Sequence, residues 1–193
     1  MGAALGTTRR EIILDAALRL VAREGLGALT HRGTDAAAGL PPGSTSYYFR
    51  RKADLMQALI DRLAERLQAE SEVLKEAFTT VLAEQGRDAA FAFVADELVA
   101  CAHEDRDLLI ARLEIMLAAS RDPALSGASE RLAQAAMRPM LFYVELLAGQ
   151  GTGRAQAMSC AALLDGLMLP YATGHGAPPT AAQVRAACSA LLD

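Results

Sequence analysis

From Lys52 to about Glu84, apolar side chains return at Leu55, Leu59, Leu63, Leu67, Val73 or Leu74, and Phe78, the spacing of one face of an α-helix. A helix of that length bares an apolar stripe along one side and needs other elements to cover it. The rest of the chain offers helices for the purpose. About one residue in five is Ala, the best helix former, while the β-branched and aromatic residues that strands favour are sparse, with aromatics only 5% and Trp absent. The expected fold class is all-α, with about nine helices. Sandwiches, barrels and parallel sheets are excluded.

The other elements follow from caps and breakers. Thr7 or Thr8 can cap a first helix running to about Glu24, with Ile13, Ala16, Ala17, Leu20 and Val21 inward, ended by Gly25 and Gly27. Thr30 suits the cap of a short helix from His31 to Ala38. Gly39-Leu40-Pro41-Pro42-Gly43 cannot continue it and makes a turn, after which a second short helix runs to Tyr48. Beyond the long helix, Gln85-Gly86-Arg87 is a break. Helices are expected from Asp88 to about His103 (Phe91, Val94, Ala95 and Leu98 inward) and from Asp105 to Ser120 (Leu109, Leu113 and Met116 inward). A third runs from Ser129 to Ala148 across Pro139, which should kink it. Gly149, Gly151 and Gly153 form a loop, and Arg154–Ala172 and Ala181–Leu192 are the last two helices.

Charge is divided unevenly. The whole chain carries −4, which discourages a nucleic-acid partner. Yet residues 1–52 hold eight basic residues (Arg9, Arg10, Arg19, Arg23, Arg32, Arg50, Arg51, Lys52) against four acids (Glu11, Asp15, Glu24, Asp35), a net of +4 that leaves −8 on the remainder. A basic head on an acidic body fits a DNA-binding module joined to a regulatory one. Three scattered cysteines, Cys101, Cys160 and Cys188, suit free thiols in a reducing cytosol. With no long uncharged apolar run and no secretion signal, the expected location is cytoplasmic, without membrane contact.

Residues 30–49, THRGTDAAAGLPPGSTSYYF, read as two short helices about a tight turn, a helix-turn-helix. In that motif the second helix lies in the major groove, where short polar side chains near its start reach base edges and phosphates. Gly43, Ser44, Thr45 and Ser46 stand there. Tyr47 and Tyr48 can offer hydroxyls to phosphates or fill the small core of the head, while Phe49 is expected in the core. Lys52 opens the next helix, where its charge and the helix N-terminus can hold a phosphate.

Residues 8–60 resemble the N-terminal region of the tetracycline-repressor (TetR) family of transcription regulators. The matching pieces are ILDAALRLVAREG, LTHR, AAAGLPPGSTSYYF and RKADLMQAL, in the same order and spacing. By position, the resemblance implies DNA contacts from Thr30, Arg32, Gly43, Ser44, Thr45, Ser46, Tyr47, Tyr48 and Lys52. It implies a DNA-binding domain at 1–51 and a ligand-binding and dimerisation domain at 52–193. Two departures stand out. The family often has Tyr where this chain has Ser46, and an apolar residue followed by a small one where it has Thr34-Asp35. Asp35 then either finds a buried partner or weakens DNA binding. Gly33 adds a helix-weakening residue, by roughly 1 kcal/mol against Ala.

The resemblance implies a ligand-responsive regulator, by default a repressor, acting on a palindromic operator in double-stranded DNA. Its pocket is expected in the body, lined by Phe91, Arg112, Met116, Tyr143 and Asp165, for an apolar or aromatic small molecule. Asp165, set among apolar residues, is either hydrogen-bonded inside or a ligand contact. Met116, Met140, Met158 and Met168 are expected mostly in the core. A homodimer through 154–172 and 180–192 is expected, because those helices carry more apolar surface than one chain can cover. The alternative, motivated by Asp35, Gly33 and the negative net charge, is a small-molecule-binding protein of the same fold whose head has lost or weakened DNA binding. His31, His103 and His175 show no metal-ligand pattern, no cofactor is implied, and no nucleophile–base set suggests an enzyme.

Overall fold

The computed structural model describes residues 8–104, 106–148 and 154–192. Among them are nine α-helices, two short 3₁₀ segments and no strand. The helices are α1 (Arg9–Glu24), α2 (His31–Ala37), α3 (Ser44–Tyr48), α4 (Lys52–Gln85), α5 (Arg87–Glu104), α6 (Arg106–Ala119), α7 (Ser126–Ala148), α8 (Arg154–Ala172) and α9 (Ala181–Leu192). The all-α expectation holds. No helix among the described residues is long and apolar enough to cross a membrane. The expected glycine loop at 149–153, the helix start at Asp105 and the side chains of Cys101, Met140 and Cys188 lie outside the described residues.

The described residues of 1–64 and 107–132 form one compact unit, and those of 65–106 and 133–193 another. In the first, Thr8 and Glu11 close a capping box on α1. The Thr8 N–H donates to Glu11 Oε2 at 2.7 Å, and the Glu11 N–H donates to Thr8 Oγ1 at 3.3 Å. The inward stripe of α1 is Ile13, Leu14, Ala16, Ala17, Leu18, Leu20 and Val21, all buried. Phe49, Leu55, Leu59, Ile60 and Leu63 join this core, each large side chain contributing about 1.5–3 kcal/mol by leaving water. Arg62 of α4 ties back to α1 through a two-pronged contact with Asp15, at 2.9 and 3.0 Å.

In the second unit α9 packs on α8 and on α5. Ala95, Val144, Ala157, Cys160, Leu164 and Val184 make one apolar cluster, in which the Cys160 side chain is buried. Phe78, Ala90, Val94 and Tyr143 make another, with Phe91 packed against it. The Phe78 and Tyr143 rings stand 5.0 Å apart, and Phe142 lies within 6.0 Å of both. Arg106 donates to the carbonyls of Tyr171 (3.3 Å) and Ala172 (2.7 Å), satisfying acceptors that the last turn of α8 leaves open. Pro139 lies inside α7 and Pro170 near the end of α8.

Several faces differ from the sequence expectation. On α6 the buried row is Leu108, Ala111, Ile115 and Ala119, while Leu109 and Leu113 are half-buried and Met116 is exposed. This helix is apolar almost all round, so periodicity admits more than one stripe. On α4 it is Leu74 that turns inward, and Val73 is exposed. On α8 the buried row is Ala157, Cys160, Leu164, Met168 and Ala172. Met158 and Asp165 fall off that row and are exposed, so Asp165 is not the buried acid its apolar neighbours suggested.

Candidate nucleic-acid interface

Helix α2 begins at Thr30, whose Oγ1 accepts from the Gly33 N–H at 2.9 Å. Gly33 has a reason to be glycine. A Cβ there would stand 2.5 Å from the Ala28 carbonyl oxygen and 3.0 Å from Thr30 Oγ1. The residue that weakens α2 by propensity is the one that lets α2 sit against the preceding turn.

The chain leaves α2 through a turn with Gly39 at φ 64 and Gly43 at φ 93, both in the left-handed region that glycine tolerates. Gly43 has no side chain with which to cap α3. Asp35, reaching across from α2, caps it instead. Its Oδ2 accepts from the Gly43 N–H at 2.8 Å, and its Oδ1 accepts from the Thr45 N–H at 2.7 Å and the Thr45 hydroxyl at 2.6 Å. Asp35 is 3% exposed and Thr45 is fully buried. Burial works to raise the Asp35 carboxyl. The bonds from Thr45 and Gly43 and the nearby His31 outweigh it and hold the group below its ordinary value.

One turn earlier on α2, His31 Nε2 lies 2.6 Å from the Phe49 carbonyl oxygen, just past the end of α3. A carbonyl only accepts, so Nε2 carries the proton and donates. Phe49 is buried, and the Arg10 guanidinium lies over its ring at 5.4 Å.

With both ends tied, α3 presents Ser46, Tyr47 and Tyr48 outward, Tyr47 at 82% exposure. The two tyrosine rings meet edge to face at 5.1 Å. The Ser44 hydroxyl donates to the Pro41 carbonyl at 2.7 Å. Thr30, Arg32, Gly43 and Lys52 are exposed, as are Arg9, Arg10, Arg50 and Arg51. Arg51 is held by Asp54 at 2.7 Å. Of the nine residues expected to meet DNA, Thr45 alone is inside, its hydroxyl spent on Asp35. In the sequence Arg10, Arg50 and Arg51 count only toward the positive charge of the head, and His31 only as part of the LTHR piece and as a metal-ligand candidate. The helical i, i+4 spacing of His31 and Asp35 was the available signal, but their partners on α3 are set by tertiary packing.

The residues expected to bind ligand fall in different units. Phe91 and Tyr143 share the aromatic cluster of the second unit, and Asp165 is exposed on α8 there. Arg112, half-buried, and Met116, exposed, are on α6 in the first unit.

A short polar helix packed against and bonded to a second short helix across a tight turn, with tyrosines and cations outward, defines a helix-turn-helix protein. Residues 13–59 match the family model for bacterial regulatory proteins of the tetR family, and residues 85–193 match that of the tetracyclin repressor-like C-terminal domain. The second match alone spans more than half of the chain, which therefore belongs to the TetR family of transcription regulators, non-enzymatic proteins. Solved structures agree. A TetR-family member, SCO1917 from Streptomyces coelicolor A3, is 27% identical with TM-score 0.71, covering 96% of this chain and 99% of its own. SCO7518 of Streptomyces coelicolor A3(2) is 30% identical with TM-score 0.66, covering 95% and 98%. The multidrug binding protein EbrR, complexed with ethidium, is 26% identical with TM-score 0.70, covering 96% and 99%. Among curated proteins none matches this sequence.

Proposed function

We propose that this chain is a ligand-responsive repressor that binds a palindromic operator as a two-fold homodimer, residues 1–51 meeting DNA and 52–193 binding effector and pairing the copies. The observation that carries this reading is α3, whose exposed serine and tyrosines are flanked by exposed Arg32, Arg50 and Lys52 on a folded head in which Asp35 caps α3. The features that argued for a head without DNA binding have structural work of their own. Gly33 permits a close approach and Asp35 caps α3. Asp35 costs the head one unit of charge, but its carboxylate is turned inward.

The effector is a flat aromatic molecule. The Phe78, Phe142 and Tyr143 cluster with the Lys75 ammonium 5.4 Å from the Phe142 ring supports this, as does the similarity to EbrR, which is complexed with ethidium, malachite green and proflavin. Effector binding shifts the population between DNA-competent and incompetent states. The test is a gel shift at low salt on duplexes selected from a random pool, repeated with ethidium added. Enrichment of a two-fold symmetric sequence, released by the dye, is expected. No enrichment would sink the operator reading, and enrichment insensitive to aromatic dyes would sink the effector class.

A further inference from the structure

Helix α3 has five residues, Ser44–Tyr48, far too few to hold a helix by their own backbone bonds. It has no side-chain cap on its N-terminal residue, and the chain leaves it in extended conformation at Phe49. What fixes it comes from α2. Asp35 takes three bonds at its start, and His31 gives one at its end, 2.6 Å to the Phe49 carbonyl. These two side chains are four apart on α2 and so share one face. Gly33, between them, seats α2 against the Ala28 carbonyl. We infer that His31 and Asp35 act as a pair of positioning residues for operator recognition, a polar clamp on both ends of α3 that sets the angle at which it enters the major groove.

This inference rests on the operator reading above but makes a different demand on the protein. Non-specific binding rests mainly on cations near phosphates, and exposed Arg32, Arg50 and Lys52 lie outside α3 and supply them whatever its angle, with the Tyr47 hydroxyl a lesser contact that rides on α3. Reading base edges needs the helix held to within about 0.5 Å and 10–20°. A buried carboxylate suits that task because the angular demand of three converging donors fixes the helix in one place. Loosening the clamp therefore costs sequence preference and spares general affinity. For Asp35 the two effects have opposite sign. Asp35→Asn removes a negative charge from the head, so affinity for unrelated DNA holds or rises, while the amide turns a donor toward groups that are themselves donors.

The experiment takes the duplex that the wild-type full chain enriches from a random pool and a scrambled duplex of equal length. Affinities for both are measured for wild type, Asp35→Asn, His31→Ala and His31→Gln, with a thermal melt followed by circular dichroism for each. The expected result is a fall of about 10-fold or more in the ratio of the two affinities for Asp35→Asn and His31→Ala, as losing a bond to a charged or buried partner implies. His31→Gln, whose side-chain amide can still donate to the Phe49 carbonyl, keeps most of the ratio. Equal loss on both duplexes, or an unchanged ratio in variants that melt well above the assay temperature, overturns the clamp. Should Asp35→Asn fail to fold, the His31→Ala and His31→Gln pair decides the matter. A wild-type protein that enriches no sequence overturns the operator reading, and the clamp with it. An enriched sequence with an unmoved ratio overturns the clamp alone.

Discussion

Asp35 Oδ1 accepts two hydrogen bonds from one residue, the Thr45 backbone N–H at 2.7 Å and the Thr45 hydroxyl at 2.6 Å, and both residues are buried. The pair joins the two helices of the helix-turn-helix through a charge with almost no contact with water. Burying a carboxylate is unfavourable unless donors surround it, and here three do, including the Gly43 N–H.

The first prediction concerns acid. The folded Asp35 carboxyl titrates below its unfolded value of 3.8. A group depressed on folding stabilises fully above its unfolded value, and that contribution fades as pH falls through the folded one. Wild type should therefore lose stability below about pH 4 faster than Asp35→Asn. The half-buried carboxyls of Glu11 and Asp54, held low chiefly by the Thr8 N–H and by the Arg51 side chain, titrate in both proteins and cancel from the difference. Urea midpoints at several pH values between neutrality and pH 3 measure it. Parallel curves would show that the carboxylate is not what the cap relies on.

Gly33→Ala is predicted to destabilise by about 1–3 kcal/mol, the usual range for an overpacked site. Helix propensity alone predicts the opposite sign, a gain of about 1 kcal/mol. The steric effect wins because the obstacle is backbone, the Ala28 carbonyl oxygen at 2.5 Å, and not the far end of a side chain. A fall in the thermal midpoint is expected. A rise would mean that α2 shifts away freely.

Lys52→Ala and Tyr47→Phe should weaken binding to the selected duplex and to an unrelated one by similar factors, because phosphates carry no sequence information. Both side chains are exposed, so neither change disturbs the core. Lys52→Ala should also reduce the slope of log affinity against log salt by about one contact's worth. Loss confined to the selected duplex would reassign these residues to base reading. Ser46, exposed on α3, is the better place to look for altered sequence preference, since the Thr45 hydroxyl is already committed to Asp35.

Where a signal is local, the sequence carried it. Helices α8 and α9 span Arg154–Ala172 and Ala181–Leu192, as the breakers predict, and the Thr8 cap, the double-proline turn and the long α4 are likewise set by neighbours in sequence. The polar pieces of the candidate interface were legible for the same reason. Three things were not. The buried row of α6 is ambiguous because Leu108, Leu109, Ile110, Leu113, Ile115, Met116 and Leu117 surround the helix with apolar groups. The role of Gly33 depends on the Ala28 carbonyl, which the propensity scale does not see. Asp35 looked like a defect because its donors lie eight and ten residues away, across a turn whose course only the fold determines.

The last prediction concerns assembly. The buried row of α8 is spent inside its own unit, yet Met158, Leu163 and Leu169 on other faces remain 51%, 43% and 47% exposed. Isolated exposed leucines are ordinary, but three large apolar residues on one helix, beside small Ala162 and Gly166, suit a second helix packing closely. If a two-fold partner covers this face, the wild-type protein sediments at about twice its chain mass of 20.4 kDa at micromolar concentration. Leu163→Glu with Leu169→Glu should give a folded single chain, with the helical signal and melting point near wild type. That chain should lose the two-fold duplex, since a dimer spanning half-sites one turn apart, about 34 Å, is what symmetric recognition needs. It should keep weak, salt-sensitive binding to any duplex through its one head. Val184→Glu is the contrasting control. Val184 is 1% exposed within the cluster of Ala95, Cys160 and Leu164, so a charge there should unfold the second unit and not merely separate two copies. A wild-type protein that sediments as a single chain, or a double variant that remains paired, would remove α8 from the interface and the symmetric operator model with it.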